Sequence, residues 1–193
     1  MKKLLLFIFL GISFLNAQEK VELLDEVVIM GHQPPKYDAK RELKGKKYFT
    51  KLSSKDISVV SNHRQRKEGY LVGIKFTFDV SDLVSDVIFI CPLILFENME
   101  EVLVLTKQFP LENTTKEVIF NFSSSPILLE ENKNYLIGFE IIDKNRTQKT
   151  IKVKFVTSKG SYSLLKMTSN ANWLRQDNYA KGYSLDYELF FTK

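Results

Sequence analysis

Residues 69–79 read Gly-Tyr-Leu-Val-Gly-Ile-Lys-Phe-Thr-Phe-Asp. Val72, Ile74, Phe76 and Phe78 fall on one side of an extended chain. Gly73, Lys75, Thr77 and Asp79 fall on the other. Side chains alternate across a strand and spiral round a helix, so a two-residue period of this length predicts a half-buried β-strand. The pattern recurs. Val118, Phe120 and Phe122 share a face, and Ile151, Val153 and Phe155 alternate with Lys152 and Lys154. Residues 135–142 and 184–191 read as further strands. Residues 87–97 are apolar on both faces, which suits a strand at a sheet centre; Pro92 inside them predicts a bulge or an edge. Residues 47–52 form a first edge strand. Residues 53–60 read as a turn with a short apolar pair, and residues 61–68 as a polar connection. No segment beyond residue 20 has a 3.6-residue apolar period. Roughly nine strands at short spacing, with turn signals between them, predict an all-β fold, a sandwich or barrel, and the alternation favours an antiparallel β-sandwich.

Composition fits. The 15 Phe and 8 Tyr, against one Trp, favour strands over a helical bundle. The net charge is +5. Removing Lys2 and Lys3 with residues 1–17 leaves 26 basic against 23 acidic residues, a net of +3. That excess is small and scattered, and gives no ground for nucleic acid as a partner. The single cysteine, Cys91, allows no intramolecular disulfide and lies in the doubly apolar run. It reads as a small buried hydrophobe, because a catalytic thiol needs a partly exposed, electropositive site.

Residues 1–17 hold a basic start, an apolar run from Leu4 to Leu15, and Ala17 before Gln18. This is the layout of a signal peptide cleaved after Ala17, and the run is shorter than the roughly 20 residues that span a bilayer. The expected location is therefore exported, with no membrane span once the signal is removed. Residues 18–46 divide into a β-prone segment, residues 18–31, and a proline-bearing, charged stretch from His32 onward, read as a flexible linker. Residues 47–193 are then the β-sandwich domain.

Two stretches carry a resemblance. Leu24-Asp25-Glu26-Val27-Val28-Ile29-Met30-Gly31 resembles the "LDEVVV-x-G" segment of exported bacterial proteins. There it follows a carboxypeptidase-like regulatory domain and precedes a TonB-dependent outer-membrane barrel or a soluble β-domain. Both the regulatory domain and the barrel are missing here. The resemblance of residues 24–31 to that segment implies a periplasmic or outer-membrane-associated location. In the barrel proteins, similar stretches lie near the segment that adds a strand to the energy-coupling protein. Here the stretch either adds to an envelope partner in that way or pairs with its own domain. Val118-Ile119-Phe120-Asn121-Phe122, with Pro126-Ile127-Leu128-Leu129 and Tyr135-Leu136-Ile137-Gly138-Phe139-Glu140, is similar to the jelly-roll domain of carboxypeptidase-like regulatory-domain proteins, over residues 60–191. The resemblance implies a jelly-roll-like β-sandwich and brings no catalytic residues.

Chemistry-bearing residues are sparse. His32 lies in the linker and His63 in the polar connection, both read as surface residues. Glu97, Glu100 and Glu101 could supply paired carboxylates, but adjacent acids in a turn are usually solvated. Asp79, Asp82 and Asp86 surround a turn without the spacing of a calcium loop. The resemblance to bacterial export proteins implies that the sequons at Asn113, Asn121 and Asn145 are silent. No phosphate loop, metal-ligand spacing or nucleophile elbow is present, so no cofactor or metal is expected. The richest region runs from Lys159 to Tyr183. It gives Tyr162, Trp173, Arg175, Tyr179 and Tyr183 as candidate ligand-binding residues, since aromatic faces beside amides and charges bind sugars or peptides. The alternative is that Trp173 and Leu174 plug the end of the sandwich. The expected function is a non-enzymatic binding or interaction module of the cell envelope, its ligand a glycan or an envelope protein. Alternatives are an assembly protein pairing through its N-terminal strand, and a hydrolase with an acidic site.

Overall fold

The alternating stretches become strands. The computed structural model describes residues 29–31, 33–54, 56–79, 88–103, 108–111, 116–142, 149–167, 171–176 and 182–193, and every regular element among them is extended. The strands are β1 (Ile29–Gly31), β2 (Ala39–Glu42), β3 (Lys47–Ser54), β4 (Asp56–Arg64), β5 (Gly69–Asp79), β6 (Ile88–Phe96), β7 (Glu101–Leu103) and β8 (Phe109–Leu111). They continue with β9 (Glu117–Asn121), β10 (Ile127–Leu129), β11 (Asn134–Ile142), β12 (Lys149–Val156), β13 (Ser163–Lys166), β14 (Leu174–Gln176), β15 (Ser184–Leu185) and β16 (Tyr187–Thr192). Sixteen described strands exceed the nine expected, because several are short pieces of two to four residues.

Two antiparallel sheets pack as a sandwich. The nine-stranded sheet is built round β5, which pairs β9 through residues 73–77 and β16 through residues 70–76. β1 continues the sheet beyond β9, β2 beyond β16, and β3 lies against β12. The seven-stranded sheet runs β14-β13-β4-β11-β6, with β7 and β8 both on the far side of β6. The alternating faces meet between the sheets. Phe76 and Phe78 of β5 contact Phe139 of β11 edge-to-face at centroid distances of 5.2 and 5.0 Å. Each such buried ring contributes about 1.5–3 kcal/mol by leaving water, and edge-to-face contact adds to it.

Two sequence expectations are corrected. Residues 56–64, read as a turn with an apolar pair and a polar connection, form the nine-residue strand β4 between β11 and β13. Polar residues are tolerated there because their side chains find partners. Ser61 Oγ lies 2.7 Å from Ser163 Oγ and accepts from the Leu185 amide, and Ser58 donates to Glu140. Pro92 meets the expectation of a bulge or an edge in part: its strand is not a sheet edge, but its register with β7 shifts between Ile94 and Leu95. It pairs opposite Phe139 in unbroken register, and on its other side it falls between the stretches paired by β8 (residues 88–90) and β7 (residues 94–95). A residue with no N–H is accommodated where no ladder continues.

The stretch read as a flexible linker is built into the sheet. β2 pairs residues 188–191, and Pro35 is buried against Gly73. A Cβ at Gly73 would stand 2.9 Å from Pro35 Cγ and 3.0 Å from the Phe120 carbonyl oxygen, so glycine is needed for this close approach. Tyr37 packs on Phe190 at 5.0 Å. The charges nearby pair across strands. Glu117, Lys75, Glu188 and Lys40 form a ladder over β9, β5, β16 and β2 with links of 3.3, 3.1 and 3.1 Å. Of the Leu24–Gly31 stretch, Ile29–Gly31 pairs with β9 of the same domain; residues 24–28 lie outside the described residues, as do residues 1–17. Among the described residues no helix is long and apolar enough to cross a membrane.

Candidate functional site

The outer face of the seven-stranded sheet gathers three of the five residues singled out by sequence. On this face Val60, Leu95, Leu136 and Leu164 form a small apolar cluster, and Tyr162, Trp173 and Leu93 pack against it. The Arg175 guanidinium lies 4.1 Å from the Tyr162 ring centroid, and Lys166 Nζ lies 5.8 Å from that of Trp173. The rings are thus engaged on the sheet, with cations over them. Burial raises the Tyr162 pKa, with Glu97 adding and Arg175 opposing. Trp173 covers the face of a sheet, and the neighbouring Leu174 stays 56% exposed. Gly138 lies in the strand beneath this cluster. A Cβ there would stand 1.8 Å from the Val59 carbonyl oxygen of the adjacent strand.

Tyr183 is elsewhere. Its ring stacks on Phe155 at 4.4 Å and its hydroxyl meets Thr50 Oγ1 at 2.7 Å. It packs with the main core, and burial raises its pKa. Tyr179 lies outside the described residues, as do His32, Asp82 and Asp86. Asp79 pairs with Lys152 at 3.2 Å. Glu97 accepts from Asn134, and the Glu100 backbone amide donates to Asn98 in the turn after β6. Cys91 forms no disulfide and is buried; desolvation, then Glu140, push its thiol up to about 11. Among the described residues no group of three or more His, Cys, Asp or Glu is placed to hold a metal ion.

A second site was not foreseen. An open cleft of about 920 Å³ lies between the two sheets, lined by residues 40–44 around the end of β2, by Asn62–Arg64, Arg66 and Lys67 at the end of β4, and by Ser158–Ser161. Lys40, Arg41, Lys44, Arg64, Arg66, Lys67 and Lys159 contribute seven cations against one carboxylate, Glu42. Lys40 is paired with Glu188 and Glu42, and Arg41 is anchored inward. No ion pair engages Lys44, Arg64, Arg66, Lys67 or Lys159 among the described residues.

The floor of the cleft is a fixed polar network. The Gln65 side chain is fully buried. Its Nε2 donates to the Lys67 carbonyl at 2.7 Å, and its Oε1 accepts from Arg41. His63 Nε2 lies 3.1 Å from that same Oε1, so this nitrogen must carry the proton. His63 Nδ1 then accepts from the Tyr187 hydroxyl at 3.2 Å. The Gln65 backbone closes the network, donating to Lys133 O and accepting from the Asn132 amide. Burial lowers the His63 pKa; the Gln65 hydrogen bond opposes this and Arg41 adds to it. Burial alone pushes the Tyr187 phenol far up. Arg41 lies 4.7 Å from the Phe191 ring centroid, and its own pKa is lowered by burial and by Arg66.

The reading of His63 as a surface residue is therefore corrected. It sits on the inward face of β4, where the two-residue period places it in line with Ile57 and Val59. The cleft walls are equally fixed. Ser158–Ser161 is a turn closed by the Ser161 amide on Ser158 O, with Gly160 at φ +78° and Lys159 at its tip. Asn62 clamps it by accepting from the Tyr162 amide at 2.7 Å. The run Arg64-Gln65-Arg66-Lys67 was the one linear hint of this site. The remaining cations come from segments far apart in sequence.

No family model, curated protein or solved structure matches this chain. The likeness to carboxypeptidase-like regulatory-domain proteins rests on the residues quoted for it alone.

Proposed function

We propose that this chain is a non-enzymatic binding module of the cell envelope and that its ligand is an anion held in the basic cleft. The observation that carries this reading is the concentration of cations there. Elsewhere lysines such as Lys75, Lys152 and Lys154 sit beside carboxylates. In the cleft five cations form no ion pair among the described residues and Glu42 is the one carboxylate of the lining; a concave surface mostly of one sign focuses its field outward. The floor supports binding over catalysis. Both nitrogens of His63 are occupied, and the Tyr187 hydroxyl is buried and protonated, so neither is poised to take a proton. The envelope location draws on the export-type segment at residues 1–17.

A basic protein sticks to many anions, so the test needs a charge-matched control. Arg66→Ser/Lys67→Ser removes two charges at the cleft. Lys51→Ser/Lys116→Ser removes two exposed charges away from it. The cleft variant should lose most of its calorimetric binding to an anionic ligand, and the control should keep it. Equal losses would mean that net charge, not this site, does the binding.

A further inference from the structure

We infer that the cleft takes a linear acidic polysaccharide, a chain of sugars carrying repeated carboxylate or sulfate groups; this rests on the anion-binding reading above. The first reason is how the charge is spread. Lys44 follows β2, Arg64 ends β4 with Arg66 and Lys67 just beyond it, and Lys159 tips the turn after β12. A single phosphate is held by donors that converge on one point. Here the cations come from three separate segments that line a cleft whose volume, about 920 Å³, is at the upper end of ligand pockets. Several anionic groups at intervals match that layout better than one.

The second reason is what lies between the cations. Asn62, Ser158, Gly160 and Ser161 offer an amide, hydroxyls and backbone groups. These are the partners that sugar hydroxyls take. Leu43 is the one aliphatic residue of the lining, and Tyr187 is buried beneath it. A peptide or protein partner is gripped by apolar or aromatic anchors in desolvated pockets, and the cleft provides none. The strand at its border, β2, is four residues long and carries Lys40, Arg41 and Glu42. Short, charged edges discourage strand addition, so a peptide has little backbone to dock on.

The experiment is calorimetry on the full chain with oligogalacturonates of two, four and eight sugars. The other titrants are inorganic phosphate, neutral dextran, poly-glutamate and duplex DNA. Affinity should rise about tenfold or more from the dimer to the octamer, and fall about as much between low and high salt, since exposed charge attraction is screened. Arg66→Ser/Lys67→Ser should cost about tenfold, a difference well resolved by titration, while Lys51→Ser/Lys116→Ser should not. Phosphate binding at the cleft with no gain from sugar chain length would overturn the polysaccharide and leave the anion site standing. Tighter binding of poly-glutamate or DNA than of the octamer would overturn it in the same way, in favour of a peptide or a nucleic acid. Binding of dextran equal to that of the octamer would remove charge from the recognition. Failure of every anion would overturn both readings.

Discussion

The outer face of the seven-stranded sheet and the cleft between the sheets use the same materials, aromatic rings and cations, to opposite ends. On the outer face the cations lie over rings. Arg175 covers Tyr162 and Lys166 approaches Trp173, while the rings themselves cover Val60, Leu136 and Leu164. In the cleft the ring of Tyr187 is buried and tied to His63, and among the described residues Lys44, Arg64, Arg66, Lys67 and Lys159 form no ion pair. The lesson is that residue type does not mark a binding surface. What marks it is interaction capacity left over after the fold has satisfied its own needs.

That contrast can be broken by substitution. The largest effect is expected from Gly138→Ala. A methyl group there meets the Val59 carbonyl, so β4 and β11 must separate, at a cost of about 3–5 kcal/mol in urea unfolding. A fall of less than about 1 kcal/mol would show that the sheet yields more easily than its geometry implies. Next comes Gln65→Ala. It leaves Arg41, His63 and the Lys67 carbonyl without their shared partner, which should cost about 2–3 kcal/mol and also weaken anion binding, because the loop bearing Arg66 and Lys67 loses its brace. Trp173→Ala should cost about 1–2 kcal/mol, as a half-buried ring, and leave anion binding in the cleft unchanged. A loss of ligand on that substitution would transfer the site to the outer face and reverse the comparison.

The smallest effect is a pH dependence. His63 has its pKa lowered by burial from 6.5, so above pH 6.5 it is neutral in both the folded and unfolded chain. As pH falls below 6.5 the unfolded chain takes up the proton first, and stability is lost down to the folded pKa. Glu188 works in a lower window. Burial tends to raise its pKa, but Lys75 and Lys40 hold it below 4.5, so its contribution fades only as pH falls below that value. Thermal melts between pH 6.5 and 5 should therefore slope downward in the native protein and less so in His63→Gln. Parallel curves would remove His63 as the source.

Much of the fold was legible because a half-buried strand writes its period into the sequence. β5, β9, β11 and β12 are all marked by alternating Phe, Val and Ile. β4 was not, because Ser58, Ser61 and His63 take strand positions through side-chain hydrogen bonds that only the folded state supplies. β2 was hidden by its composition, Ala-Lys-Arg-Glu, in which no residue signals burial. The candidate site was legible in half. Tyr162, Trp173 and Arg175 do meet, since they lie close together in the chain. The cleft brings residues 40–44 to residues 158–161, and no local pattern announces such a meeting.

The position of β16 has a consequence for how the protein must be made. It lies between β2 and β5, and Thr192 Oγ1 donates to Asp38 across a separation of 154 residues. A chain emerging from its N-terminus carries β2 and β5 long before the strand that joins them arrives. Until residues 187–192 appear, the nine-stranded sheet is two fragments with open edges, and such edges invite foreign strands. Closure of that sheet waits on residues 187–192, and until they pair, the facing edges of β2 and β5 stay open to wrong partners.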